Sequence, residues 1–359
     1  MTLPTEPMWS RPLSHLPAAP LLVVAMGMQM RPLRWTPPRP TARARRTHSD
    51  PPMPPVRLLP LPGSGPEDVV VLPDGRLVTG TDDGAIWRVD PAGGAVERIA
   101  DAGGRPLGMH VDADGSLLIC VAGRGILRLA EAGAELEVVV GEIDGAPIAF
   151  PSNVIRDDDG TIYFTISSRR WPFEEWMTDI LEHSGSGQLV RRDPDGRLEV
   201  LVDGLQFANG LVLAPDRSSV LVAETGAYRI TRYWLTGPRA GTTDYLAENL
   251  PGSPDNMLLG SDGLVWVGIV SPRNPLLDSL FPLPGILRRI VDALPDRLTP
   301  APVRSVWVLA VNFDGTIVHD LQRDGTDYAL VTAVAEHEGT LYLGSLSESA
   351  IAVTSIPAS

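Results

Sequence analysis

Four stretches of the chain repeat one pattern, and that repeat limits what the chain can fold into. GPEDVVVLPDGRLVTG begins at Gly65, FPSNVIRDDDGTIYFT at Phe150, QFANGLVLAPDRSSVLV at Gln206 and SPDNMLLGSDGLVWVG at Ser253. Each places an oxygen-bearing side chain one or two residues before an apolar strand. An acidic turn and a second apolar strand follow. Asp-Gly pairs at 74–75, 83–84, 114–115, 159–160, 195–196, 262–263, 314–315 and 324–325 all lie between apolar runs. Asp-Gly supplies the positive φ that tight hairpins need. Strands joined only by hairpins pair antiparallel, and no helical pattern alternates with them. The turns at Asp74, Asp114 and Asp159 are 40 and 45 residues apart. Repeats of that length, four strands each, are blades of a propeller.

The expected fold is therefore all-β, a six-bladed β-propeller over residues 56–359. The blades fall at about 65–105, 106–148, 149–205, 206–250, 251–325 and 326–357, with Val56–Pro60 closing the ring against the last. Two blades are overlong. Ser167–Gly187 in blade three and Ser271–Pro300 in blade five break the hairpin rhythm. In the second, Leu276, Leu277, Leu280, Leu283, Ile286, Leu287, Ile290 and Leu294 have roughly helical spacing, interrupted by Pro282 and Pro284. Both insertions are read as lid-like segments over one end of the ring.

Residues 1–55 differ from the rest and are read as a Pro/Arg-rich extension. Leu16–Met30 is apolar but carries Pro17 and Pro20, and is short of the about 20 residues a spanning helix needs. Only Arg11 precedes it, so the basic start of a signal peptide is weak. No transmembrane anchor is expected, the localisation reads as cytoplasmic, and Met26, Met28 or Met30 are alternative starts. Arg31, Arg34, Arg39, Arg43, Arg45 and Arg46 then stand among prolines, with no acid before Asp50. That composition suits an extended linker wrapped on the domain rather than a membrane-surface arm.

A net charge of −14 excludes nucleic acid as a partner and suits a bound cation or plain solubility. The single cysteine, Cys120, excludes an internal disulfide and a thiolate metal cluster, and its apolar run Ser116–Val121 makes it a buried thiol. No G-x-S-x-G, H-E-x-x-H or P-loop is present.

In a propeller the first strand of each blade lines the central channel. Glu67, Asn153, Asn209 and Asp255 open the first strands of blades one, three, four and five, so the ring should gather them at one mouth. Asn256 adds a further amide oxygen. Two carboxylates and three amides are hard oxygen donors that suit Ca2+, with Mn2+ or Mg2+ as possible replacements.

Longer motifs carry a family resemblance. GPEDVVVLPDG, FPSNV…GTIYFT, LEHSGSGQLVRRDP, DGLQFANGLVLAPD, VLVAETGAYRITRYWLTGP and LPGSPDNM are similar to the strictosidine-synthase-like branch of the gluconolactonase–paraoxonase superfamily, over about Pro62–Ile351. That branch includes the adipocyte plasma-membrane-associated protein. The resemblance implies a six-bladed propeller with axial calcium, Glu67, Asn153, Asn209, Asp255 and Asn256 matching the family's ligands. The departures are as informative. Plant strictosidine synthases carry a catalytic Glu four residues before a turn that here reads Glu336-His337-Glu338-Gly339; Thr332 stands in its place. Leu107 stands where paraoxonases have a catalytic His, Val154 replaces an acid of their second calcium site although Asp68 remains, and Ile166 replaces a further acid. His110 is read as structural.

The expected function is a calcium-dependent hydrolase of lactones or other esters, with a small-molecule substrate. Asp255 is the candidate to activate water or attack directly. Trp171, Phe173, Trp176, His183, Leu277 and Phe281 of the insertions are the candidate substrate pocket. The alternatives are a non-catalytic binding propeller stabilised by its metal and, weaker because of Thr332, a strictosidine-synthase-type condensation enzyme.

Overall fold

The computed structural model describes residues 29–295 and 302–357. Most of the apolar stretch Leu16–Met30, with the alternative starts Met26 and Met28, lies outside the described residues. Six four-stranded antiparallel sheets form the body. Their innermost strands are Val69–Val71, Pro106–Val111, Pro151–Arg156, Ala208–Leu213, Gly252–Leu259 and Val331–His337. Each touches the innermost strand of the blades on either side, and the sixth touches the first, so the ring is closed. Arg57–Pro60 pairs with Ala350–Ser355 as the outer strand of blade six, joining the two ends of the domain.

The turns follow from their residues. Seven of the eight Asp-Gly glycines take positive φ, between 79° and 94°. The preceding aspartate repeatedly accepts the N–H two residues on, as Asp114 does from Ser116 and Asp159 from Thr161. The exception corrects the expectation at Asp324-Gly325. Gly325 does not have positive φ, and its place is explained by Arg304, whose backbone would lie 2.5 Å from an added Cβ. At Pro215-Asp216-Arg217 it is Arg217 that takes the left-handed conformation, at φ 56°.

The core lies between blades. Leu221 and Ile230 of blade four, for example, are buried with Val267 and Trp307 of blade five. The insertions fold as short helices, Trp176–Glu182 in blade three and Pro275–Leu280 and Ile286–Asp292 in blade five. The described part of the N-terminal extension is tied to the domain. Leu33 N–H donates to Glu182 O, Arg273 donates to Pro38 O, Asn249 donates to Arg39 O, and Arg43 and Arg46 both pair with Asp320. No helix among the described residues is long and apolar enough to cross a membrane.

Candidate active site at the propeller axis

Five of the six innermost strands carry a β-bulge at the same place. Pairing with the second strand skips Leu107-Gly108, Ser152-Asn153, Asn209-Gly210, Asp255-Asn256 and Thr332-Ala333. In blade one, Glu67-Asp68 stands at that level, just before the strand begins at Val69. A bulge sets two residues against one and re-aims their side chains, a device common beside active sites. Here it turns polar side chains toward the axis.

The bulges also correct the expected phase. The predicted oxygen donors Asn153, Asn209 and Asp255 lie within the strands, not before them. Ser152, not Asn153, is the register equivalent of Asn209 and Asp255. Ser152, Asn209, Asp255 and Glu67 line a cavity of about 210 Å³. Asn153 is the equivalent of Asn256, and the pair stand behind that lining, Asn153 Nδ2 donating to Asn256 Oδ1 at 3.1 Å.

A dense network joins them all. Asn256 Nδ2 donates to Glu67 O at 3.1 Å, and Thr332 Oγ donates to the same carbonyl at 2.6 Å. Asn209 Nδ2 donates to Asp255 Oδ1 and to Thr225 Oγ, while its Oδ1 accepts from Ser152 at 2.9 Å. Thr225 in turn donates to Pro254 O at 2.7 Å. Close approach of the blades depends on glycine at two bulges. A Cβ on Gly210 would lie 2.3 Å from Met257 N and 2.6 Å from Asp255 O, and one on Gly108 would lie 2.6 Å from Asn153 Nδ2.

The site is buried and acidic. Burial, then the nearby Glu67 carboxylate, pushes the Asp255 carboxyl well above its usual range. Burial raises Asp68 to about 7, against the N–H groups of Met109 and Val69 that it accepts. The bond from Met109 makes Asp68 a tie between blades one and two. Arg105 is the nearby cation, its Nη2 2.9 Å from Glu67 Oε2. Among the described residues no group of three or more His, Cys, Asp or Glu could hold a metal. Any ion here would depend on the amides. The donor set suits one hard divalent cation: of the two buried carboxylates only Glu67 is paired with a guanidinium, and three amides and two hydroxyls supply neutral oxygens.

The cavity above is apolar. Phe173, Trp176 and Leu277, three of the six predicted pocket residues, line it with Met177, Leu107 and Phe207. Trp171, His183 and Phe281 do not. Trp171 turns its indole N–H to Glu182 inside the protein. His183 caps helix Trp176–Glu182 with φ 56°, which aims its ring at Trp35, 4.3 Å away and stacked. Phe281 packs edge-on against Trp35 and tilted against His183 in the same cluster. His110 is not among the residues lining the cavity and stands 3.7 Å from Asp112, while Cys120 is fully buried, as expected.

The description "Strictosidine synthase" matches residues 153–238, and "Strictosidine synthase-like, N-terminal" matches residues 55–89. The adipocyte plasma membrane-associated protein of Rattus norvegicus is 34% identical over 306 residues, which cover 79% of this chain and 81% of that protein. This chain belongs to the strictosidine-synthase-like family. Strictosidine synthase-like protein 10 of Arabidopsis thaliana is 32% identical over 314 residues, 79% of this chain and 83% of that one. Two solved structures share the propeller. A gluconolactonase from Xanthomonas campestris superposes with TM-score 0.61 at 20% identity, covering 91% of this chain and 97% of its own. A calcium-binding regucalcin from Agrobacterium tumefaciens gives TM-score 0.59 at 13%, covering 85% and 94%. In this strictosidine-synthase-like chain Thr332 is fully buried at the axis with its hydroxyl committed to Glu67 O, so that position has no carboxylate for a condensation.

Proposed function

We propose that this protein is a calcium-dependent hydrolase of lactones or other esters. The observation that carries the reading is the joining of two environments. Glu67 and Asp255, with Asn209 and Ser152, form a polar floor beneath a cavity whose walls are apolar. Glu67, Asn153, Asn209, Asp255 and Asn256 would hold the ion. Bound there, calcium supplies a Lewis acid that stabilises negative charge developing on an ester carbonyl oxygen. Asp255 takes the proton of the attacking water on a carboxylate oxygen. Asn209 fixes the Asp255 rotamer through its Nδ2, and Ser152 fixes Asn209 through its Oδ1. Phe173, Trp176, Met177 and Leu277 bind the apolar part of the substrate and exclude water, which gives the insertions their role as a lid.

Arg105 favours a second reading, a non-catalytic binding propeller, because a guanidinium already neutralises Glu67. A panel of an apolar lactone, an aryl ester and a phosphotriester, each with calcium, manganese or chelator, separates the two. At least one ester should turn over with calcium, lose turnover with chelator and regain it on calcium addition. Chelation should also lower the melting temperature, since an ion at a hundredfold excess over its Kd stabilises by about 2.7 kcal/mol. No turnover across the calcium-loaded panel would overturn the hydrolase, and turnover indifferent to chelator would overturn its dependence on calcium.

A further inference from the structure

The carboxylate expected to hold a metal already has a cation. Arg105 Nη2 lies 2.9 Å from Glu67 Oε2, with the side chains only 9% and 11% exposed. The guanidinium sits in a cradle. Its Nη2 is also 3.4 Å from the carbonyl oxygens of Gly65 and Leu346, and its plane lies over Phe173, 5.2 Å from the ring centre. Gly65 has φ 62°, and a Cβ there would come within 2.8 Å of the guanidinium. Glycine thus makes room for Arg105. Buried charge is retained only where it is paired, and here the partner is the axial carboxylate.

We infer that Arg105 is a resident counter-ion that competes with the divalent cation for Glu67 and holds calcium affinity low. The inference rests on the proposed metal site. With Arg105 in place, the Glu67 carboxylate is already neutralised by the guanidinium; without it, Glu67 offers an incoming cation its full negative charge. Like charges a few ångströms apart in a partly buried site repel strongly, so calcium must displace the guanidinium or bear its repulsion. Such a site exchanges its ion with changing calcium instead of retaining it permanently. The bulge position next along, Leu107, offers no competing donor.

The test is calorimetric titration of the full chain with calcium chloride at fixed low ionic strength, which reads binding without activity. Arg105→Gln, which keeps N–H donors for the Gly65 and Leu346 carbonyls, and Arg105→Met should each bind calcium about tenfold tighter or more. Arg105→Lys should stay near the wild-type affinity because the charge remains. Near-ultraviolet circular dichroism verifies the fold of each variant, and either neutral variant suffices if the other does not fold. If wild type binds calcium and a folded neutral variant binds no tighter, Arg105 does not compete and the inference fails alone. If no form binds calcium, the metal site itself fails and takes the inference with it.

Discussion

Asp255→Asn should lower ester turnover by a factor of about 10²–10⁴ at saturating calcium. The substitution keeps an oxygen donor of nearly the same shape but removes the base and one negative charge. Asp255 lines the cavity, is buried, and has Asn209 as the side-chain donor to its carboxylate. Calcium affinity should weaken as well, so ion occupancy is measured alongside rate. Asn209→Ala is the control. It removes a neutral donor, so much of its loss should return as calcium is raised. A metal-loaded Asp255→Asn protein that hydrolyses its best ester at the wild-type rate would remove Asp255 from the chemistry.

The second large effect is on stability. His183 is held neutral: burial, then the charges of Arg288 and Arg229, lowers its pKa from 6.5 to about 3, and among the described residues its Nδ1 has no hydrogen-bond partner. Between those values the unfolded chain binds a proton that the folded one refuses. The stability His183 allows is therefore complete above about 6.5 and is lost as pH falls toward 3, at about 1.4 kcal/mol per pH unit. Asp68 and Asp179, each raised to about 7 by burial, act oppositely, binding protons in the folded state between their ordinary 3.8 and 7. The total pH curve mixes these terms, so the informative quantity is a difference. His183→Asn removes the titration and tolerates the left-handed backbone. In urea unfolding, wild type should lose stability relative to this variant by about 1 kcal/mol or more per unit below pH 6. A difference that stays flat from pH 7 to 4 would show that His183 titrates normally.

The blades were readable because Asp-Gly turns and strand spacing are local, and six repetitions of a local signal fix a ring. Glu67, Asn209 and Asp255 were readable for the same reason, since they share one phase of the repeat. Their finer order was not. A bulge adds one residue to one strand, and FPSNV shows no sign that Ser152, not Asn153, shares the level of Asn209 and Asp255. Ser152 and Thr225 were missed because a single hydroxyl, in the strand Pro151–Arg156 or in the short turn Thr225–Ala227, looks the same whether it serves a site or a neighbouring carbonyl. Their common contact with the FANG asparagine exists only once the ring is closed. Arg105 stands in a plain turn before Pro106, 38 residues from the carboxylate it meets. His183 was placed at the pocket because its insertion reaches there. The aromatic partner that draws it away, Trp35, comes from the distant N-terminal extension.

The most direct measurement is a crystal structure grown with millimolar calcium, with the ion located by its anomalous signal. One ion per chain is expected on the propeller axis, about 2.3–2.6 Å from oxygens of Glu67, Asn209 and Asp255, with Asn153 and Asn256 completing the set. Arg105 should have moved off Glu67. An axis without calcium, Arg105 still on Glu67 and Asn209 still bonded to Asp255, would contradict the metal site and the hydrolysis built on it.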